Sequence, residues 1–180
     1  MFSPEDLQEL LSELLERLSN SHVRGGIRVV GGAAIALLYG DRQATADIDA
    51  SLTPSNDILE VVRQMAYERG LPHNWLNDGA LAYIPFEAEP ADWTEIMRAG
   101  EVSLLVAKPQ LLLAMKLRAN RGIRDGRDID VLLSACKITS IDQVESLYGK
   151  YFSQEVLSPD AELRVNNWLA QRTEPDKPIR

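Results

Sequence analysis

Ile27-Arg28-Val29-Val30-Gly31-Gly32-Ala33-Ala34-Ile35-Ala36-Leu37-Leu38-Tyr39 and, a few residues on, Ala46-Asp47-Ile48-Asp49-Ala50-Ser51-Leu52 decide the fold class. The β-branched run 27–30 predicts a short strand that ends at Gly31-Gly32. The small apolar residues 33–39 predict a buried helix that begins right after the glycines. Residues 40–45 read as loop. In 46–52, Asp47, Asp49 and Ser51 alternate with Ile48, Ala50 and Leu52, a period of two that specifies a strand with one polar and one apolar face. Strand, glycine turn, helix and strand in close succession point to an α/β arrangement, a small mixed sheet flanked by helices.

The flanks extend this pattern. Ser3-Pro4-Glu5-Asp6 reads as a helix start: Ser3 can cap, Pro4 suits the first helical position, and the two acids face the positive end of the helix dipole. Leu7, Leu10, Leu11, Leu14, Leu15 and Leu18 then recur at 3/4 spacing, the stripe of a helix packed on a core. A polar turn at 19–26 leads to the first strand. A helix is expected over 53–69 and stops at Gly70. Residues 71–90 hold a polar loop around His73-Asn74-Trp75-Leu76-Asn77-Asp78 and a predicted strand over 81–86. A further strand is expected over 101–107, an apolar helix over 109–117, and helices over 127–137, 140–148 and 159–171, with a frayed tail from Thr173. The expected organisation is one domain over 1–180, a core at about 27–135 and a helical C-terminal part at about 138–172.

Composition bounds the function classes. The 180 residues are 45% hydrophobic and 26% charged, an ordinary globular mix, and a chain of this length buries roughly 68–70% of its unfolded surface. The single cysteine, Cys136, excludes a disulfide framework and a Cys-rich zinc site; it falls on an apolar helix face, where core burial is expected. Neither His22 nor His73 has a second histidine at metal-ligand spacing. With no signal pattern and no apolar run near the roughly 20 residues of a membrane span, a soluble, cytoplasmic protein without a membrane partner is expected. The net charge of −8 argues against broad nucleic-acid binding. Locally the balance reverses: Lys116, Arg118, Arg121, Arg124 and Arg127 face a single acid, Asp125, within 116–127, a net +4. Such cations line the wet face of a helix or track a phosphate backbone.

Four features can carry chemistry. Glycines at Gly31-Gly32 let the backbone approach an anion closely, and the unpaired N–H groups of the following helix can hold phosphate; such a pair is also a plain turn. Asp47 and Asp49, two residues apart on a strand, share a face with Cα atoms about 6.5–7 Å apart at about 3.3 Å rise per residue. Paired carboxylates repel unless a cation intervenes, and they suit Mg²⁺ shared with substrate phosphates; an edge strand using acids for solubility is the structural alternative. Lys116 lies in a mostly apolar run and either snorkels or points into a cleft. Trp75, among amide side chains, either anchors its loop in the core or stacks on a base.

Together the stretches Val30-Gly31-Gly32-Ala33-Ala34-Ile35-Ala36-Leu37 and Arg42-Gln43-Ala44-Thr45-Ala46-Asp47-Ile48-Asp49 resemble the signature of the polymerase-β-like nucleotidyltransferase superfamily. The Gly-Gly-small-Ala form looks most like its abortive-infection toxin branch, whose members pair with an antitoxin. Leu112-Leu113-Ala114-Met115-Lys116-Leu117-Arg118-Ala119 and Arg127-Asp128-Ile129-Asp130-Val131 resemble that branch's second segment, with the last acid one position early. The resemblance covers about 27–135. It implies a Mg²⁺-dependent enzyme, with Mn²⁺ as substitute, that moves a nucleoside monophosphate from an NTP to an RNA (tRNA), protein or small-molecule acceptor, and a toxin role with a cognate antitoxin. By the same resemblance Gly31, Gly32, Ala33, Thr45 and Lys116 would bind the nucleotide, Asp47 and Asp49 the metal, and Asp128 would lie near Lys116 and orient it or contact the acceptor. Active members present a third carboxylate on a neighbouring strand. Here 81–85 has none, and Asp78, Glu87 and Glu101 are the candidates. That departure keeps a second reading in play, a catalytically inactive nucleotide- or partner-binding module on the same fold.

Overall fold

The computed structural model describes residues 1–39 and 45–173, so the greater part of the expected loop at 40–45 and the tail from 174 lie outside the described residues. The chain forms two compact units, one of Met1–Ile84 with Glu89–Lys108, the other of Pro85–Ala88 with Pro109–Arg180.

The first unit carries the mixed sheet. Its elements run α1 (Pro4–Asn20), β1 (Gly25–Val29), α2 (Gly31–Tyr39), β2 (Ile48–Thr53), α3 (Ser55–Arg69), β3 (Leu76–Asn77), β4 (Trp93–Ala99) and β5 (Val102–Ala107). The strand order is β3-β2-β1-β5-β4. β1 is antiparallel to β2 and parallel to β5, β2 is parallel to β3, and β4 closes the far edge antiparallel to β5. Helix α1 starts at a reciprocal cap in which the Asp6 N–H donates to Ser3 Oγ (3.1 Å) and the Ser3 N–H to Asp6 Oδ2 (2.8 Å). Its six stripe leucines are buried, each contributing about 1.5–3 kcal/mol of transfer free energy, and the helix packs on α2, α3, β4 and β5.

Register sorts the sheet into two faces. Ile27, Val29, Ile48, Ala50, Leu52, Leu76, Val102, Leu104 and Val106 share one face and are all buried. Arg28 opposite Ser51 and Leu105, and Asp49 opposite Asn77, lie on the other. The side-chain period of two makes this sorting automatic once one residue's face is fixed.

Three expectations in the first unit are corrected. The strand expected over 81–86 is a 3-10 turn, Gly79–Tyr83. The Gly79 N–H donates to Asn77 Oδ1 (3.0 Å) and the Leu81 N–H to the Asp78 carbonyl (3.1 Å), so local turn bonds satisfy the backbone in place of a ladder. The stretch read as polar loop contains β3, and β4 was not anticipated. Its register shifts between Glu95 and Met97, and that irregularity breaks the period-two alternation by which a strand is recognised. Trp75 is the anchor: it is fully buried, its Nε1–H donates to the Val62 carbonyl (3.1 Å), and its own carbonyl accepts from the Ile48 N–H (2.8 Å).

The second unit is helical: α4 (Pro109–Ala119), α5 (Ile123–Ala135), α6 (Ile141–Tyr151) and α7 (Pro159–Thr173), with α4 packed on α5 and α6, and α6 on α7. Leu111, Leu112, Leu113, Leu117, Ile129, Leu132, Leu133 and Val144 are among its buried residues. Helix α5 begins four residues before the expected start at Arg127. Cys136 ends it, half-buried rather than in the core. Burial pushes its thiol up to about 11, so at neutral pH it is expected to alkylate with iodoacetamide far more slowly than a free cysteine near 8.5; reaction at the rate of free cysteine would contradict this environment. No described helix is long and apolar enough to cross a membrane.

Candidate functional site

The sheet unit joins the glycine turn to the acidic strand. Gly31 opens α2 with φ +67°, a backbone conformation in which a Cβ costs roughly 1–2 kcal/mol. An ideal Cβ on Gly31 would stand 3.1 Å from Asp49 Oδ2 and 3.7 Å from Asp49 Cβ. The Val30 N–H donates to the Asp49 carbonyl (2.9 Å), so the last residue before the turn and the acid are joined directly. The missing side chain therefore leaves room beside a carboxylate oxygen where backbone N–H groups open a helix. Gly31→Ala is expected to lower stability by about 1–2 kcal/mol and to displace the Asp49 carboxylate. Urea denaturation checks the first effect, and unchanged stability would show that the turn does not need glycine.

Asp49 lies within β2, whereas Asp47 stands one residue before it; both are half-buried. The expected strand over 46–52 thus begins two residues late. Thr45 is buried and bridges antiparallel to Phe2 (Phe2 N to Thr45 O 2.7 Å, Thr45 N to Phe2 O 3.0 Å). Its Oγ1–H donates to the Asp47 carbonyl (3.1 Å), which fixes the backbone that carries Asp47. Ala33 is buried in the first turn of α2.

Asp47 and Asp49 are hard oxygen donors, and no group of three His, Cys, Asp or Glu residues that could hold a metal occurs among the described residues. A carboxylate beside the glycine turn, with a second two residues before it in sequence, fits Mg²⁺, which keeps several waters and binds through one or two carboxylates together with substrate phosphates.

Among the candidate third carboxylates, Glu101 lies before β5, where its carbonyl accepts from the Gly25 N–H at the start of β1 and its side chain pairs with Arg24 at 2.5 Å. Asp49 adjoins the other end of β1, roughly 15 Å away at about 3.3 Å per residue, which takes Glu101 out of reach. Asp78 Oδ2 accepts from Ser55 Oγ at 2.6 Å. Glu87 belongs to the second unit, where it accepts from Ser153 Oγ (3.1 Å). The residue in register with Asp49 on the neighbouring strand β3 is Asn77, an amide that can donate and accept hydrogen bonds but takes up no proton near neutral pH. Sequence reasoning missed this position because a two-residue strand has no periodicity to read.

In the second unit, Lys116 does not snorkel. Its ammonium is buried, 2.8 Å from both Asp125 Oδ1 and Asp128 Oδ2. Asp125, fully buried, also accepts from the Arg121 N–H (2.9 Å) and from Arg121 Nε (3.1 Å). Burial alone would raise the Asp125 carboxyl; the hydrogen bonds from Arg121, Lys116 and the Arg121 backbone N–H outweigh it and hold the group well below the usual carboxylate range. A depressed carboxylate stabilises above its unfolded value, about 3.9, and that stability is lost as pH falls through the folded value. The stability gap between the parent chain and Asp125→Asn, measured in urea, is therefore expected to stay constant from about pH 5 to 8 and to shrink below about pH 4; a gap that widens on acidification would contradict the assignment. Sequence reasoning counted Asp125 only as the single acid among the five cations of 116–127. With α5 starting at Ile123, Asp125 and Asp128 fall three residues apart on one helix, the spacing that lets both meet one cation.

The local positive segment is smaller than its formal count. Lys116 and Arg121 are engaged as above, and Arg118 donates to Glu155 from Nε (3.0 Å) and Nη2 (2.6 Å). Arg127 is exposed.

Comparisons with curated proteins and with solved structures found no match to this chain. A family model described as a nucleotidyltransferase of unknown function, DUF6036, matches residues 5–174. The match spans both units, from the helix that supports the sheet to the last described helix, and takes in the Gly31 turn, Asp47, Asp49, Lys116 and Asp128. The chain belongs to this nucleotidyltransferase family.

Proposed function

We propose that this protein binds a nucleoside triphosphate with Mg²⁺ at Asp47 and Asp49 and transfers the nucleoside monophosphate to an acceptor hydroxyl, releasing pyrophosphate. The observation that carries the reading is the approach of Gly31 to Asp49, which sets an open helix N-terminus beside a carboxylate oxygen. In this reading the first N–H groups of α2, at Gly31, Gly32 and Ala33, receive the phosphate oxygens. Asp47, held by Thr45, and Asp49, held by Val30, bind the metal, and Mn²⁺ suits the same oxygen donors. When bound, the metal reduces the charge repulsion that opposes in-line attack on the α-phosphate. The acceptor oxygen forms the new P–O bond, the α–β anhydride bond breaks, and the hydroxyl proton passes to water, since Asn77 is no base. Lys116 and Asp128 are assigned to the reaction by the family resemblance alone.

The resemblance to the abortive-infection toxin branch supports a toxin with a cognate antitoxin. The acceptor is an RNA (tRNA) end, a protein hydroxyl or a small molecule. Because three of the five local cations are engaged by carboxylates, charge gives RNA no preference over the other two. The amide at Asn77 favours one second reading, a nucleotide-binding module without turnover. The test incubates the purified chain with each α-labelled NTP, Mg²⁺, and total tRNA, the protein itself or cell extract. Label carried to one acceptor supports the transferase and names its class. NTP binding without label transfer supports the binding module, and absence of both overturns the two readings together.

A further inference from the structure

We infer that Arg28 binds a phosphoryl group of the substrate, an assignment that rests on the nucleotidyltransferase reading of the same sheet face. Arg28 is exposed on β1, the central strand, on the face that carries Asp49. Ser51 is its register partner on β2, so Asp49 is the diagonal neighbour, about 7–8 Å away. The other arginines described in the first unit each hold a carboxylate: Arg17 with Glu13 and Glu68, Arg24 with Glu101, Arg63 with Glu60, Arg69 with Glu9 and Glu13, and Arg98 with Glu95. Arg28 has no carboxylate among the described residues. In a chain of net charge −8, an arginine ion-paired to none of the described acids is set apart from the rest.

Its guanidinium is nonetheless held in place. It lies over the ring of the buried Trp93, 5.3 Å from the centroid, a cation–π contact that orients the planar fork without using its N–H donors. Trp93 pairs with Ala107, one step beyond the Val29–Val106 pair. It therefore stands at the end of the sheet where Val30 meets Asp49 and the Gly31 turn begins. Gly26, two residues back on the strand, adds no bulk, and a Cβ there would already stand 3.3 Å from Ser103 Oγ. An oriented cation with available donors at the metal-carboxylate end of the sheet is what a phosphoryl oxygen requires. Two sources offer that chemistry: the triphosphate tail, or a phosphate on the acceptor.

The test compares the full chain with Arg28→Gln and Arg28→Lys, their folding checked by melting temperature. Binding of Mg²⁺–NTP and of inorganic pyrophosphate is measured by calorimetry, and acceptor KM by label transfer to total tRNA and to the chain itself. Weakening of NTP and pyrophosphate binding by about tenfold or more in Arg28→Gln, partly restored in Arg28→Lys, supports the triphosphate as source. Unchanged NTP and pyrophosphate binding with an acceptor KM raised about tenfold supports the acceptor phosphate. A parent chain that binds Mg²⁺–NTP, with Arg28→Gln equal to it in every arm, overturns the assignment and leaves the transferase reading intact. Pyrophosphate binding that depends on Arg28, without any NTP binding, overturns the transferase reading and keeps the anion site. Binding of neither ligand by the parent chain overturns both.

Discussion

Asp49→Asn is expected to reduce nucleotidyl transfer by about 10²–10³-fold or more while leaving the fold in place. The substitution keeps the shape of the side chain and the β2 ladder, because the Val30 N–H bonds to the main-chain carbonyl of residue 49 and not to its side chain. It removes the negative charge beside the Gly31 turn. A hard divalent cation loses a charged oxygen ligand, and the triphosphate loses the counter-charge that lets it approach a carboxylate pair. Asp47→Asn is expected to act in the same direction. Its carbonyl hydrogen bond to Thr45 survives the change, and the Asp49→Asn variant should unfold within about 1 kcal/mol of the parent. Transfer at the parent rate in Asp49→Asn would end the assignment of Asp49 to the metal.

The second large effect concerns the helical unit. Lys116→Met is expected to cost about 3–5 kcal/mol, because it removes the buried ammonium that Asp125 and Asp128 share. A triple substitution, Lys116→Met with Asp125→Leu and Asp128→Leu, removes the charges together and is expected to regain most of that loss, since apolar replacement of a whole buried ion cluster is often near neutral. Urea denaturation of the three proteins reads this directly. If the triple variant is stable and transfers label as the parent does, the cluster serves folding alone. If it is stable and inactive, Lys116 or its partners serve the chemistry as the family resemblance implies.

What was legible in the sequence followed from repeats of fixed period and from residues with narrow conformational roles. The leucine spacing of α1, the strand–Gly-Gly–helix order and the alternation through Asp49 each obey one geometry; the α1 stripe lies where it is read, whereas α2 starts at Gly31 and takes in both glycines, and β2 starts only at Ile48. Gly31 could be read because few other residues tolerate φ +67°. The rest depended on contacts between distant positions. β3 has two residues and exists because Trp75 is pinned to α3 and to the start of β2. The period of β4 is interrupted at its irregularity. Helix α5 starts after Gly122, at φ +60° and without a side-chain cap, so no capping residue announces it. That shift of four residues hid the meeting of Lys116 with Asp125, nine positions apart and on different helices. The position beside Asp49 could not be found from sequence either, since a search for an acid passes over an asparagine.

The proposed function requires that Asp47, Asp49 and the Gly31 turn form one metal–nucleotide site. Its most direct measurement adds Mn²⁺ with a non-hydrolysable NTP analogue to the isotope-labelled protein and follows the backbone amide resonances. Selective paramagnetic broadening of Gly31, Gly32, Ile48 and Asp49, lost in the Asp49→Asn variant, is the expected result. Broadening centred elsewhere in the chain, or the same pattern in Asp49→Asn, would contradict it.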